Sequence, residues 1–185
     1  DFGLGVATTL LALAEGAEVV HSTVLGLGER AGNAPTEDTV MALLTMYGKD
    51  IGINYDQLYP LAKLVEEISG VKIPGNRSVI GDQLFQVESG IIANWFKNCG
   101  TEHQTELFPF RPEFVGQPPA DVVMGKGSGI DSVRIWLDKI GAEASDEEAV
   151  AILKEVKAQG GSTKQLLTIE QFKDIANRTI AQKVA

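Results

Sequence analysis

Hydrophobic positions recur at helical spacing near the start of the chain, at Leu4, Ala7, Leu11 and Ala14, and Gly16 supplies a stop. A short β-branched run follows, Glu18-Val19-Val20-His21-Ser22-Thr23-Val24. The pattern predicts a helix over 3–15 and a strand over 18–24. After a glycine-rich stretch at 25–33, Pro35 and Thr36 open a predicted helix over 36–47 that turns Val40, Leu43, Leu44 and Tyr47 inward before Gly48. Helix, strand, loop and helix in that order are the makings of a parallel-sheet α/β fold, and in barrels of that class the loop after a strand carries the chemistry.

Beyond Gly52 the alternation fades. Leu58, Leu61, Val65 and Ile68 form one face of a helix ended by Gly70, and a Pro/Gly segment around Pro74-Gly75-Asn76 follows. Residues 83–98 read as partly helical with an interruption at Gly90, and Pro109, Pro112, Pro118 and Pro119 predict an extended linker. Val122-Val123-Met124 is a candidate strand and Gly125-Lys126-Gly127-Ser128-Gly129 a turn. Val133, Trp136, Leu137 and Ile140 form a helical face closed by Gly141. Ser145 with Glu148, ahead of Val150, Leu153 and Val156, and Thr168 with Gln171, ahead of Phe172, Ile175 and Ile180, are capping-box signatures of two further helices. The chain divides on this reading into 1–52, an α/β segment; 53–116, a helical subdomain and linker; and 117–185, a small α+β subdomain.

Composition narrows the functional classes. With 185 residues, 44% of them hydrophobic, a sizeable core is available without disulfides or metal staples. Sixteen Lys and Arg against 25 Asp and Glu leave a net charge of −9, which repels a phosphate backbone, so a nucleic-acid partner is not expected. The single cysteine, Cys99, cannot form an intrachain disulfide, and a reducing cytoplasm is expected. No apolar run approaches the ~20 residues of a membrane span. The sequence starts at Asp1 rather than Met, just ahead of a helix, as if it were part of a longer chain.

The stretch Gly26-x-Gly28-Glu29-Arg30-x-Gly32-Asn33 concentrates a carboxylate, a guanidinium and an amide on a loop whose glycines let a ligand approach the backbone. On spacing alone, a polar ligand site and a plain turn with a solvated Glu/Arg pair stand level. A P-loop is excluded because its Gly-Lys-Ser/Thr ending is missing, and the dinucleotide fingerprint needs a glycine where Arg30 stands.

The opening Asp1-Phe2-Gly3-Leu4-Gly5-Val6-Ala7, followed by Gly28-Glu29-Arg30-Ala31-Gly32-Asn33-Ala34 and Glu37-Asp38, resembles the end of the catalytic barrel in the 2-isopropylmalate, homocitrate and citramalate synthase family. In that family a His-x-His-Asn-Asp-x-Gly-Leu motif, a helix and a strand precede a Gly-Glu-Arg-x-Gly-Asn loop. Weaker likenesses continue at Asn76-Arg77-Ser78-Val79-Ile80-Gly81, Glu88-Ser89-Gly90-Ile91 and Gly125-Lys126-Gly127-Ser128-Gly129. The resemblance implies the last βα units of a TIM barrel followed by a mainly α-helical region. It also implies a divalent metal (Mg, Mn or Zn) and a Claisen condensation of acetyl-CoA with a 2-oxo acid, in a homodimer.

By the same resemblance Asn33 matches a metal-coordinating asparagine, and Asp1 matches the second acidic position after two histidine ligands that would precede residue 1, a position outside the ligand set. Glu29 and Arg30 match the Gly-Glu-Arg pair that would hold the loop, and Gly26 and Gly28 would let the acyl-CoA arm pass. The chain is then the C-terminal half of an enzyme and is not expected to turn over alone.

Two departures change the chemistry expected. Where the family reads Glu-Ser-Gly-Ile-His, with a histidine thought to act from the partner subunit, this chain reads Glu88-Ser89-Gly90-Ile91-Ile92, and an isoleucine cannot move a proton. A family tyrosine ahead of Pro112-Glu113-Phe114-Val115-Gly116 is replaced by Leu107 or Phe108. His103 lies between these segments and is the candidate substitute; His21, in the predicted strand, is read as a barrel residue. Trp95, Phe96, Phe108, Phe110 and Phe114 suit either core packing or an oligomer interface. Two rivals stay open: a carbon–carbon lyase on the same barrel, though no cysteine lies in residues 25–33 as hydroxymethylglutaryl-CoA-type lyases have it, and a non-catalytic helical dimerisation module.

Overall fold

The computed structural model describes residues 1–181. The chain forms two compact units that alternate along the sequence: residues 1–85 with 108–119, and residues 86–107 with 120 onward.

The first unit is built on α1 (Gly5–Ala14), α2 (Thr36–Tyr47) and α3 (Leu58–Ser69). α1 packs on α2, and α3 packs on the 3₁₀ turn Val24–Gly26. Gly48 and Gly70 end α2 and α3 in the left-handed conformation that their positions predict. The expected strand over 18–24 is reduced to a parallel bridge between Thr23 and Pro35, and His21 is exposed. A barrel strand is held by parallel neighbours, and the described residues give Thr23 only this one. Packing also departs from the predicted faces. Leu10 is the buried residue of α1, while Leu4 and Leu11 are exposed, and Tyr47 and Ile68 likewise face outward.

Aromatic residues close the core of this unit. Tyr55 stacks on Phe114 with ring centroids 5.4 Å apart, and Phe85 meets Phe108 and Phe110 edge-on at 5.2 and 5.6 Å. Such pairs add roughly 0.5–1.5 kcal/mol each beyond burial, so the proline-rich segment 108–119 is anchored by its own aromatics.

The second unit joins β1 (Gln86–Val87) to β2 (Asp121–Val122) in parallel, with Gln86 opposite Asp121 and Val87 opposite Val122. Val123 N–H donates to Val87 O at 2.8 Å and lengthens the pairing by one bond. Four helices follow the chain: α4 (Gly90–Cys99), α5 (Ile130–Ile140), α6 (Asp146–Thr163) and α7 (Ile169–Ala181). Gly90 therefore opens α4 instead of interrupting a helix. α5 packs between α4 and α6, and α6 on α7.

Val133, Trp136 and Leu137 are buried on α5 as their spacing predicts; on α6 the buried set is Ala149, Ile152 and Val156, with Val150 outside. Trp136 donates its indole N–H to Val122 O at 2.7 Å and meets Phe172 of α7 edge-on at 5.3 Å, tying sheet to helices. Both capping boxes form: Glu148 N–H donates to Ser145 Oγ and Ser145 N–H to Glu148, and Gln171 and Thr168 do the same. No helix among the described residues is long and apolar enough to cross a membrane.

Candidate functional site

The glycine-rich loop begins and ends at one point. Thr23 N–H donates to Ala34 O at 3.0 Å and Thr36 N–H donates back to Thr23 O at 2.9 Å, so the segment between them is a closed loop on the N-terminus of α2. Leu25 and Gly26 take successive left-handed conformations, φ 62° and 69°, and turn the chain sharply into the loop. For Leu25 that conformation costs roughly 1–2 kcal/mol and needs a partner that fixes it. The partner is Glu37, whose side chain is only 2% exposed and accepts the Leu25 N–H at 3.1 Å.

Behind Glu37 stands Arg77. Its guanidinium lies 3.4 Å from Glu37 Oε1 and 2.7 Å from Asp38 Oδ2. Burial holds both carboxyls above the usual carboxylate range; the Leu25 N–H and Arg77 oppose it at Glu37, and Arg77 opposes it at Asp38. Sequence reasoning carried Glu37, Asp38 and Arg77 only as parts of resembling motifs. Acids in the first turn of a helix ordinarily face solvent and complement the helix dipole, and what marks these two as different is an arginine forty positions away from Glu37.

At the rim of the loop Arg30 pairs with Asp1 at 3.2 Å, both side chains being well exposed, so the carboxylate it meets is Asp1 rather than its neighbour Glu29, which is exposed. Asn33 lies beside them and donates its amide N–H to Arg30 O at 3.4 Å, leaving the amide oxygen as the end that can ligate. Gly28 makes room for that side chain: a methyl group at Gly28 would overlap Asn33 Nδ2. At Gly26 a methyl would press on Pro35 Cγ at 3.1 Å. Both glycines thus serve the loop's own packing. Gly5 of α1 sits against Gly32 O, with 2.8 Å from an added methyl, so residues 1–5 and 28–33 form one surface.

An amide and a carboxylate oxygen are donors of the hard kind that suits Mg or Mn. Among the described residues no cluster of three or more His, Cys, Asp or Glu could hold a metal ion. Asn33 therefore offers one oxygen of the kind such an ion takes, and the Asp1 carboxylate near it is held by Arg30.

His103 lies in the second unit, exposed, at the start of a short 3₁₀ turn, with its N–H donating to Cys99 O at 3.3 Å. Ile91 and Ile92 are exposed on the first turn of α4. The segment Glu88–Gly90 and the turn Gly125–Gly129 are brought together: Ser89 bridges to Ser128, and Ser132 Oγ donates to Glu88 O at 3.2 Å.

The HMGL-like family model matches residues 1–65, the stretch that includes this loop and Glu37. Beyond that model, likeness to curated proteins runs over most of the chain. A Methanopyrus kandleri protein named by inference as an (R)-citramalate synthase is 39% identical over 166 residues, 90% of this chain and 32% of its own length. A second protein of that organism, named by inference as a 2-isopropylmalate synthase, is 39% identical over 89% of this chain and 32% of its own length. The homocitrate synthase AksA of Methanocaldococcus jannaschii is 36% identical over 99% of this chain and 44% of its own length. The chain thus spans about a third to under a half of the relatives it matches. Through these matches residues 1–65 are HMGL-like, and the chain is a homologue, over nearly its whole length, of proteins named as citramalate, isopropylmalate and homocitrate synthases.

Proposed function

We propose that this chain is part of a metal-dependent acyltransferase that condenses acetyl-CoA with a 2-oxo acid and hydrolyses the thioester. The observation that carries the reading is the gathering of Asp1, Arg30 and Asn33 on one exposed rim, in a chain homologous to synthases. A divalent cation, when bound, supplies Lewis-acid polarisation of the keto carbonyl. Asn33 would lend it a neutral oxygen, and Arg30 fixes both the Asp1 carboxylate and, through its carbonyl, the Asn33 amide.

In the reaction a base removes a proton from the acetyl methyl, the carbanion forms a bond to the keto carbon, and the alkoxide takes up a proton before water releases CoA. Arg30 acts as loop support through Asp1 and Asn33, and Glu29, exposed and outside that pair, is likewise assigned to the loop rather than to proton transfer. Ile92 cannot transfer a proton, and His103 is the proposed group that does. The acyl-CoA arm is assigned to the loop edge at Gly26 and Gly28. A homodimer is proposed from the exposed Ile91 and Trp95 of α4, 81% and 45% exposed.

The test is release of free thiol from acetyl-CoA by the complete enzyme with a panel of 2-oxo acids, alongside calorimetric titration with Mn²⁺. Thiol release that depends on one 2-oxo acid and on Mn²⁺ is the expected result. Asn33→Ala should weaken Mn²⁺ binding with the fold intact, and unchanged affinity in that variant removes Asn33 from the site.

A further inference from the structure

The geometry points to Glu37 as a positioning residue: through its bond to the Leu25 N–H it sets the entry of the Gly26–Asn33 loop, and hence where Asn33 and Arg30 stand. This rests on the acyltransferase reading for its consequence in catalysis, and on the structure alone for its consequence in the loop.

An acid at the second position of a helix is usually explained by the helix dipole, and such acids are solvated. Glu37 is buried instead, and a buried carboxylate is retained only where hydrogen bonds and a counter-charge replace its water. Besides Glu37's own backbone N–H, the groups that do so here are the N–H of a leucine in a left-handed conformation and the guanidinium of Arg77. Asp38 already holds Arg77 by the shorter contact, 2.7 Å against 3.4 Å, so the arginine would keep a partner without Glu37. Among the described residues, the acceptor of the Leu25 N–H is Glu37 Oε2, at 3.1 Å. The carboxylate's distinctive contribution is therefore to the loop, and Arg77 orients the carboxylate for it.

Two conservative variants separate these roles. Glu37→Gln keeps an acceptor at the same reach and gives up the charge; Glu37→Asp keeps the charge and withdraws the acceptor by one methylene. Both are made in the complete enzyme and followed by Mn²⁺ affinity, by kcat and KM, and by amide hydrogen exchange of residues 25–33. If Glu37 positions the loop, Gln stays near wild type, while Asp loses on the order of 10–100-fold in Mn²⁺ affinity or kcat, the range seen when an outer partner of a metal site is removed. Exchange of the 25–33 amides then rises in Asp and not in Gln.

The reverse order, Gln impaired and Asp near wild type, assigns Glu37 to the ion pair and overturns the proposal, as do two variants that both match wild type. Should one variant fail to fold, circular dichroism identifies it and the exchange of the other decides. If the wild-type enzyme neither binds Mn²⁺ nor releases thiol, the acyltransferase reading fails by itself, and the exchange comparison still tests Glu37.

Discussion

The Glu88 carboxylate accepts a 2.6 Å hydrogen bond from the Gly127 N–H. Gly125-Lys126-Gly127-Ser128-Gly129 has the composition of an anion-binding turn, and the anion that occupies its backbone is the protein's own. Gly125 N–H is likewise taken, by Ser128 Oγ at 2.9 Å. A hydrogen bond to a charged acceptor is worth roughly 1.5–3 kcal/mol. Glu88→Ala should therefore lower the urea midpoint of the second unit, with Glu88→Gln recovering part of the loss; equal midpoints for Ala and wild type would leave the turn without this anchor.

Gly90 and Gly129 touch backbone to backbone, with 2.7 Å between a methyl added to either one and the other's Cα. Neither neighbour is a flexible side chain that can move aside. Gly90→Ala and Gly129→Ala should each destabilise by ~1–3 kcal/mol through overpacking, read by thermal or urea unfolding.

At Gly28 the obstacle is a side-chain end, and the outcome differs. Gly28→Ala should displace the Asn33 amide, leaving unfolding nearly unchanged while Mn²⁺ affinity of the complete enzyme falls as far as in Asn33→Ala. Calorimetry showing wild-type affinity in Gly28→Ala would separate Asn33 from metal binding.

Acid should weaken the first unit through Glu66. Lys63 Nζ stands 2.6 Å from its carboxylate and the Ile73 N–H donates to it at 3.0 Å, and these hold Glu66 below the usual carboxylate range. A carboxyl depressed in the folded state takes up its proton more readily when unfolded, so its contribution is full above the unfolded value and is lost as pH falls through the folded one. Glu37 and Asp38, pushed up by burial, act with the opposite sign. Glu66→Gln should lower the melting temperature in the neutral range, and its difference from wild type should shrink as pH falls below 4.5, the ordinary value for a glutamate.

His103→Gln keeps size and hydrogen bonding but removes the imidazole proposed to move the proton. If His103 acts for the histidine that Ile92 replaces, turnover of the complete enzyme falls ~10²–10⁴-fold. A variant within ~3-fold of wild type, far below that range, makes His103 a surface residue.

Local rules in the sequence were read correctly where both partners are close along the chain. Ser145 with Glu148, Thr168 with Gln171 and the stops at Gly48, Gly70 and Gly141 are of this kind. What needed distant residues was hidden. Val19 to Val24 has strand composition, but a parallel strand exists only with neighbours, and the run forms a single bridge. Leu10 and Leu11 are equally apolar, and the position of α2 buries the first and leaves the second exposed. The loop residues Arg30 and Asn33 could be found from their motif, while Arg30's partner Asp1 and the support from Glu37 and Arg77 came only from the fold.

The alternation of the two units bears on how the polypeptide can be divided and made. The chain passes from one unit to the other after Phe85, returns after Leu107 and leaves again after Pro119. No single cut yields two intact pieces: a break after Phe85 strips the first unit of Phe108, Phe110 and Phe114, the rings that meet Phe85 and Tyr55. On the ribosome, too, the first unit stays unfinished until residues 108–119 have emerged, by which time α4 has been synthesised and waits for α5. Completion of each unit is thus interleaved with that of the other, and gene truncations meant to isolate either one must carry both of its segments.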